Sequence, residues 1–244
     1  MARTPRVQAP GAQTGQLVTL SPRESRHLLR VLRRRVGDAV VVLAGGHGFH
    51  GAIESADGDS SVSVRVGEAD GSLRSSLPWR VAVAPVKGSE MDGAIRTASE
   101  LGVEGIVPLI TERGQIPAAA SGRTERWRRI ATESAKQCGR ATPLEVLEAQ
   151  TIEAVLAGAE GQSRWIAHPG IEGREGGGLS SLRPDPALFL VGPEGGFSTS
   201  EVEQAIDLGA QPLAFPTPVL RTPTAVLLVA ALGAISLGSA AESG

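Results

Sequence analysis

The stretch LFLVGPEGGFSTSEVEQA, residues 188–205, holds the pattern on which the fold prediction is based. Its apolar start is typical of a buried strand, and the strand ends at a glycine-rich turn, residues 192–196. Ser198 is followed three residues later by Glu201, which is the pattern of a capping box, so a helix is predicted directly after the turn. A buried strand, a tight turn and a helix in this order are typical of a parallel α/β sheet.

The same alternation runs through the second part of the chain. Apolar runs predict strands and amphipathic runs predict helices between them. The predicted strands are 80–86, 105–110, 144–148, 163–167, 187–191 and 211–215, and the predicted helices are 87–102, 124–139, 151–158, 199–209 and 222–238. The fold class is therefore α/β, with a parallel sheet in a carboxyl-terminal domain.

The amino-terminal part has a different rhythm. Short β-rich runs broken by glycine lie between residues 39 and 67, which favours a small β-barrel or sheet. A helix is predicted ahead of them, with Ser21 as N-cap, Pro22 at its first position and Gly37 at its end. The polar, turn-rich residues 68–79 predict the boundary, giving domains 1–72 and 73–244.

Composition and charge limit the classes of function. The first 36 residues contain eight arginines and one acidic residue, although the whole chain has a formal net charge of −2, so a polyanionic partner is expected for this part. The single cysteine, Cys138, excludes an internal disulfide, and no His, Asp or Glu cluster has metal-ligand spacing. The longest apolar run, 225–237, is shorter than the roughly 20 residues of a membrane helix. We therefore expect a metal-free protein of the cytoplasm, without a membrane partner.

Three strand ends carry unusual loops, residues 167–170, 192–196 and 216–225. In open parallel sheets, ligands bind beyond the carboxyl ends of the strands. Loop 192–196 matches neither the dinucleotide fingerprint nor the P-loop, and Glu194 would repel a phosphate. The loop is either a structural turn or a site for a neutral or cationic ligand. In loop 216–225, Thr222 and Pro223 are predicted as N-cap and first residue of the last helix, which leaves Arg221 at the unfavourable end of a helix dipole.

Two of these segments together point to a family. GPEGGFSTSE (192–201) and VLRTPTA (219–225) resemble the paired signature of the ribosomal RNA small-subunit methyltransferase E family, which are uridine-N3 methyltransferases of the SPOUT superfamily. Four further segments are similar to that family: HLLRVLRRRVGD (27–38), VKGSEMDGAIRTASELGV (86–103), TERG (111–114) and ESAKQCGR (133–140). The resemblance covers nearly the whole chain, in order.

The resemblance implies a fold, a cofactor and partners. The implied fold is a SPOUT domain with a trefoil knot, preceded by a PUA-like β-barrel that binds RNA, in a homodimer. The implied cofactor is S-adenosyl-L-methionine, and the implied substrate is small-subunit (16S) ribosomal RNA, free or in the 30S particle. The residues expected to bind the cofactor are Ala167, His168, Gly192, Pro193, Glu194, Gly195, Gly196, Val219, Leu220, Thr222 and Thr224.

The implied chemistry removes the N3 proton of a uracil and transfers a methyl group to N3. Arg221 is the predicted catalytic residue, because a cation stabilises the negative charge that develops on the uracil carbonyl oxygens. Glu194, Glu133 or a water molecule could be the base, and Glu194 either shapes its loop or faces the ribose. The predicted RNA contacts are Arg30, Arg33, Arg34, Arg35, Lys87, Arg113 and Arg140.

The chain departs from the family pattern at two positions. Relatives commonly have glutamate where this chain has Pro223, so no acidic role is carried over to that position. Pro218 stands where many relatives have arginine or another residue. Two alternatives remain open: 2′-O-ribose methylation of RNA, because the knotted fold serves both chemistries, and a non-catalytic RNA-binding protein, which only Pro223 supports.

Overall fold

The computed structural model describes residues 4–44, 47–58, 61–70, 77–114, 122–140, 142–168, 182 and 185–241, with side chains of the last helix described as far as Ser236. The chain divides into two compact units. The first comprises Met1–Ser75 and Ala135–Pro143, and the second comprises Ser76–Ser134 and Leu144–Gly244. The glycine-rich stretch 172–178 and residues 71–76 of the predicted boundary lie outside the described residues.

The first unit contains a five-stranded sheet in the order β1-β3-β4-β5-β2. β1 pairs with β3 in parallel, and the other pairs are antiparallel. Alternate residues of β5, Val62, Val64 and Val66, are buried, as expected for a sheet with one face on the core. The strands are β1 (Arg6–Gln8), β2 (Leu17–Thr19), β3 (Ala39–Ala44), β4 (His47–Asp57) and β5 (Ser61–Ala69).

The helix predicted before this sheet is shorter than expected. Helix α1 covers Pro22–Arg26, and a π-helical turn, His27–Val31, follows it. The Ser21 hydroxyl accepts a hydrogen bond from the Glu24 N–H (3.3 Å), so the predicted N-cap is confirmed. The helical backbone stops well before Gly37 because Arg33 takes a left-handed conformation (φ 52°), which side chains other than glycine rarely adopt.

The second unit contains a parallel sheet in the order β12-β10-β11-β6-β7-β8, with β9 also pairing with β7. All pairs in this sheet are parallel, so the predicted parallel α/β sheet is confirmed. Its strands are β6 (Leu77–Val83), β7 (Val103–Ile110), β8 (Glu145–Val146), β9 (Gln150–Thr151), β10 (Ser163–Ala167), β11 (Ala187–Val191) and β12 (Gln211–Leu213). The helices are α2 (Glu90–Glu100), α3 (Arg123–Cys138, whose last turn belongs to the first unit), α4 (Ile152–Ala157), α5 (Thr199–Asp207) and α6 (Thr222–Ala241).

Apolar side chains cover both faces of the second sheet. All five residues of β11 are buried, which explains its uninterrupted apolar sequence. On one face the rings of Trp79 and Phe189 pack with centroids 4.6 Å apart. Helix α6 lies so close to this ring pair that a Cβ at Gly233 would come within 2.7 Å of the Trp79 ring. Helix α6 therefore packs tightly against this face of the sheet.

The strand order brings three loops together. Ala167, the last residue of β10, is in register with Val191, the last of β11, and with Leu213, the last of β12. The three carboxyl ends consequently stop level with one another at one edge of the sheet. This is the edge at which open α/β sheets bind their ligands.

Candidate functional site

A cavity of about 310 Å³ opens at the carboxyl ends of β10, β11 and β12. The glycine-rich loop contributes one wall of the lining, and residues 217–220 together with Phe215 contribute another. The lining residues are Arg113, Ala167, His168, Val191, Gly192, Pro193, Glu194, Gly195, Gly196, Phe197, Phe215, Thr217, Pro218, Val219, Leu220, Thr222 and Ala225.

We call residues 192–198 the glycine loop. A turn closes it, because the Gly196 N–H donates to the Pro193 carbonyl (2.8 Å) and Gly196 takes a positive φ of 66°. At Gly192 a Cβ would lie 3.2 Å from the Phe197 ring, so a side chain there would require the ring to shift by a few tenths of an ångström. The two glycines therefore have different functions: one permits the turn and the other permits close packing.

The predicted capping box after the glycine loop is confirmed. The Ser198 hydroxyl accepts the Glu201 N–H (3.2 Å), and the Glu201 Oε2 accepts the Ser198 N–H (2.8 Å). Glu201 is buried, and its second oxygen, Oε1, accepts the Glu112 N–H (2.7 Å). One carboxylate thus caps α5 and also holds the loop that follows β7.

Arg113, in that same loop, lies against the glycine loop. Its Nη1 donates to the carbonyls of Gly195 (3.0 Å) and Phe197 (3.2 Å). The sequence predicts Arg113 as an RNA contact, whereas the structure places its guanidinium on backbone of the cavity wall.

Thr222 connects the two walls of the cavity. It is buried, and its hydroxyl donates to the Gly192 carbonyl (2.8 Å). The predicted role of Thr222 as N-cap needs correction, because α6 begins at Thr222 itself and the hydroxyl is used across the cavity instead. Pro223 follows in the first turn of α6, where a proline costs no hydrogen bond.

Two residues of the predicted site lie outside the cavity lining. The Arg221 side chain is 81% exposed, and its Nη1 is 3.8 Å from the Glu90 Oε1. It stands between Leu220 and Thr222, which do line the cavity. Thr224 is exposed and does not line it. The other residues predicted to bind a cofactor all line the cavity, although residues 169 and 170 of the first predicted loop lie outside the described residues.

The cavity also has lining residues that are not among the predicted cofactor-binding residues. Phe215 and Phe197 supply aromatic rings, and Thr217 and Ala225 complete the walls. Phe215 closes the apolar run 211–215, so the rule that ligands bind at strand ends could have identified it. The motifs alone could not identify Phe197 as a wall residue, because its ring position depends on the missing side chain of Gly192.

Glu194 is the acidic residue of the glycine loop. It is exposed and lines the cavity, and no partner for its carboxylate is found within the described part of the chain. Glu133, the other acidic candidate for a base, lies on α3 and is not part of the lining.

The predicted RNA contacts differ in accessibility. Arg30, Arg33, Arg35 and Lys87 are exposed, and Arg34 is half-buried. Arg140 is only 7% exposed, which leaves little of its guanidinium surface open to a phosphate.

The described residues contain no group of three or more His, Cys, Asp or Glu side chains placed to hold a metal ion. None of the helices in the described ranges has the length and apolar character needed to cross a membrane.

Comparison with known proteins places this architecture among RNA methyltransferases. A family model described as RNA methyltransferase domain matches residues 74–235. A ribosomal RNA small subunit methyltransferase E from Synechocystis sp. is 34% identical over 228 residues, covering 90% of this chain and 73% of the relative.

Two solved structures are similar along nearly their whole length. One is a ribosomal RNA small subunit methyltransferase E from Neisseria gonorrhoeae bound to S-adenosyl methionine (28% identity, TM-score 0.84, 94% of this chain and 96% of that one). The other is the putative methyltransferase Lpg2936 from Legionella pneumophila in complex with the cofactor SAM (30% identity, TM-score 0.81, 97% and 98%).

Proposed function

Because this chain belongs to the ribosomal RNA small subunit methyltransferase E family, we propose that it uses S-adenosyl-L-methionine to methylate N3 of a specific uridine in small-subunit (16S) ribosomal RNA. The observation that carries the proposal is the cavity between the glycine loop and residues 217–222. It joins both halves of the family signature in one site.

The chemistry of the cavity suits this cofactor. Glu194 at the wall disfavours a phosphate and favours a cation, and S-adenosylmethionine carries a sulfonium and no phosphate. Phe215, Val219 and Leu220 offer apolar surface to a planar adenine. The Neisseria and Legionella relatives hold the same cofactor. We infer that the site residues bind it here, with Ala167 and His168 at the end of β10.

Thr224 is the exception among the predicted cofactor residues. It is exposed and lies outside the cavity lining, so we leave it out of the proposed cofactor site.

The bound cofactor supplies an electrophilic methyl group beside the uracil N3. The N3 proton has to leave, and the resulting negative charge spreads over the two neighbouring carbonyl oxygens. Arg221 is the proposed catalytic residue because it stands between the lining residues Leu220 and Thr222, and an exposed guanidinium can neutralise that charge. Glu194 is the proposed acceptor of the proton, directly or through water, since it lines the cavity and Glu133 does not.

The RNA contacts are proposed to centre on the turn after α1. Arg30, Arg33 and Arg35 are exposed there, and Arg34 is half-buried. The left-handed backbone conformation of Arg33 separates the side chains on either side of it. Lys87, exposed after β6, is a further proposed contact in the second unit. An RNA substrate, free or in the 30S particle, would place the protein in the cytoplasm.

Two details of the fold are also proposals. The five-stranded sheet of the first unit fits a PUA-like barrel. In the second unit, β11 lies between β10 and β6, and Thr222 ties the start of α6 to the glycine loop. These features support a trefoil knot, which general rules of chain topology would not suggest.

A homodimer is supported by the surface of α6. This helix is apolar around its whole circumference, as expected for a helix that is buried on more than one side. Leu227 and Ile235 nevertheless remain 46% and 66% exposed in the single chain. A second copy that packs on this surface would remove them from water.

Methyl transfer can be measured directly. Purified protein, labelled S-adenosylmethionine and 30S particles or ribosomal RNA from a strain lacking the gene should give label that nucleoside analysis assigns to 3-methyluridine. Label on a ribose would instead indicate 2′-O methylation. No incorporation together with tight RNA binding would indicate a non-catalytic RNA-binding protein.

The RNA surface can be tested separately. Replacing Arg33, Arg34 and Arg35 by glutamine should weaken RNA binding and reduce the slope of log K against log salt by about 2 units, since each phosphate contact contributes somewhat less than one unit. Arg129→Gln, at an exposed arginine on α3, is the matched control. An unchanged slope in the triple variant would remove these residues from the interface.

A further inference from the structure

We infer that Arg113 is a positioning residue for the glycine loop, one that sets the affinity for S-adenosylmethionine, and that it is not an RNA contact. The inference rests on the proposed function for the identity of the ligand. The contacts that support it lie within the second unit and do not depend on a ligand.

The guanidinium of Arg113 holds two peptide carbonyls of one loop. Nη1 donates to Gly195 at 3.0 Å and to Phe197 at 3.2 Å, so the bonds bracket Gly196, where the chain takes its positive φ. Hydrogen bonds from a charged donor are stronger than neutral ones. Arg113 therefore fixes both sides of the turn.

The aliphatic part of Arg113 also packs on the loop. A Cβ at Gly195 would lie 3.6 Å from the Arg113 Cβ and 3.7 Å from its Cδ, which is ordinary van der Waals contact. The side chain thus covers Gly195 with its stem while its head binds the carbonyls. Arg113 as a residue is exposed, but its Nη1 is engaged by the loop.

The neighbouring residue strengthens the same connection. The Glu112 N–H donates to the buried Glu201 Oε1 (2.7 Å), and the Ser200 hydroxyl donates to the Glu112 Oε1 (3.0 Å). Residues 112 and 113 therefore bind both the glycine loop and the first turn of α5. We call these contacts the β7 brace.

Four carbonyls of the glycine loop already have a hydrogen-bond donor within the protein. The carbonyls of Gly192, Pro193, Gly195 and Phe197 already accept hydrogen bonds from Thr222, Gly196 and Arg113. Without Arg113 the carbonyls of Gly195 and Phe197 would lose their partner, and the turn would lose its orientation toward the cavity. Affinity for a ligand that depends on this loop should fall because the loop must then be ordered on binding.

The test uses Arg113→Ala and Arg113→Lys in the full chain, with Arg129→Ala as the matched loss of an exposed arginine. Titration calorimetry with S-adenosylmethionine should show about tenfold weaker binding for Arg113→Ala. A smaller loss is expected for Arg113→Lys, whose ammonium can reach a carbonyl but lacks the planar fork. In methyl transfer the change should appear mainly as a higher KM for S-adenosylmethionine, with a smaller effect on the turnover number, because Arg113 contacts backbone of the glycine loop.

A second measurement needs no ligand. Amide hydrogen exchange of residues 192–198 in the free protein should be faster in Arg113→Ala than in the wild type or in Arg129→Ala. The slope of log K for RNA against log salt should stay unchanged. Unchanged exchange, or wild-type cofactor affinity with a salt slope reduced by about one unit, would overturn the inference. If the wild type itself failed to bind S-adenosylmethionine, the proposed function would be wrong. The hydrogen-exchange measurement would still test the role of the β7 brace.

Discussion

The two walls of the cavity are held in very different ways. The glycine loop is fixed by its own turn, by the capping box, by the β7 brace and by Thr222. In the opposite wall, residues 216–219 are exposed, Val219 at 81%, and Arg221 beyond them is 81% exposed with one ion pair at 3.8 Å.

This difference suggests that one wall serves the cofactor and the other serves the second substrate. A wall that is ordered before binding spends no free energy on ordering when its ligand arrives, which suits a small cofactor. An exposed wall remains accessible to a large second substrate and can be covered when that substrate docks. The following changes test whether the fixed wall governs cofactor affinity and the exposed wall governs turnover.

The largest effect is expected at the exposed wall. Arg221→Ala should lower the turnover number about 10²- to 10³-fold, the range for loss of one group that stabilises developing charge. S-adenosylmethionine affinity should stay close to that of the wild type. Single-turnover methyl transfer together with calorimetry separates the two quantities, and Arg221→Lys is the control that keeps the charge. A normal rate in Arg221→Ala would remove the catalytic role.

A side chain at Gly192 should damage the fixed wall. Gly192→Val places methyl groups against the Phe197 ring, and overpacking of this kind costs about 2 kcal/mol. Expressed as cofactor affinity, this is about a 30-fold loss. Calorimetry measures it, and Gly93→Ala, where the added Cβ has open space on α2, serves as the control. Wild-type affinity in Gly192→Val would contradict the view that this wall is rigid.

Loss of the bond between the walls should have an intermediate effect. Thr222→Val keeps the shape of the side chain but leaves the Gly192 carbonyl without its donor, at a cost of about 1 kcal/mol. We expect a lower melting temperature and about fivefold weaker cofactor binding. Thr222→Ser, which keeps the hydroxyl, should restore most of both. Equal behaviour of the valine and serine variants would show that this hydrogen bond does not matter.

The smallest effect on cofactor affinity is expected at Glu194, while loss of its proposed role as proton acceptor should lower the turnover number about 10²-fold. Its carboxylate has no partner within the described residues, so its field acts mainly on the ligand. Glu194→Gln should weaken binding of the cationic S-adenosylmethionine about threefold and leave the uncharged thioether product S-adenosylhomocysteine unaffected, because an exposed charge pair is worth at most about 1 kcal/mol. Equal losses for both ligands would instead indicate that Glu194 shapes the loop.

The fold of the second unit could be predicted to a large extent because its signals are local. The apolar β11, the glycine turn and the Ser198–Glu201 capping box lie within a few residues of one another, and all appear where the sequence predicts them. Ser21 and Pro22 likewise marked the start of α1. The three-residue strands β1 and β2 escaped prediction because they are too short to show a period.

The features that escaped prediction at the site depend on distant contacts. Thr222 and Gly192 are 30 residues apart in the sequence. Many other pairs of residues at that separation could have formed a hydrogen bond, so the sequence could not identify this one. Arg113 lies 82 residues from its acceptor at Gly195, and an arginine in a polar loop resembles an RNA contact on charge alone. The early end of the helical segment depends on the backbone conformation of one arginine, Arg33.

Gly233 has a consequence for assembly. A helix that is apolar on every side has no polar stripe to decide which way it turns, yet α6 must present one surface to its own sheet and another outward. Because Gly233 has no side chain, the Leu77 and Trp79 side chains approach α6 closely there, which favours one rotation of the helix about its axis. Leu227 and Ile235 face outward as a result. The surface of α6 on which the proposed homodimer rests thus depends on a residue that faces the sheet.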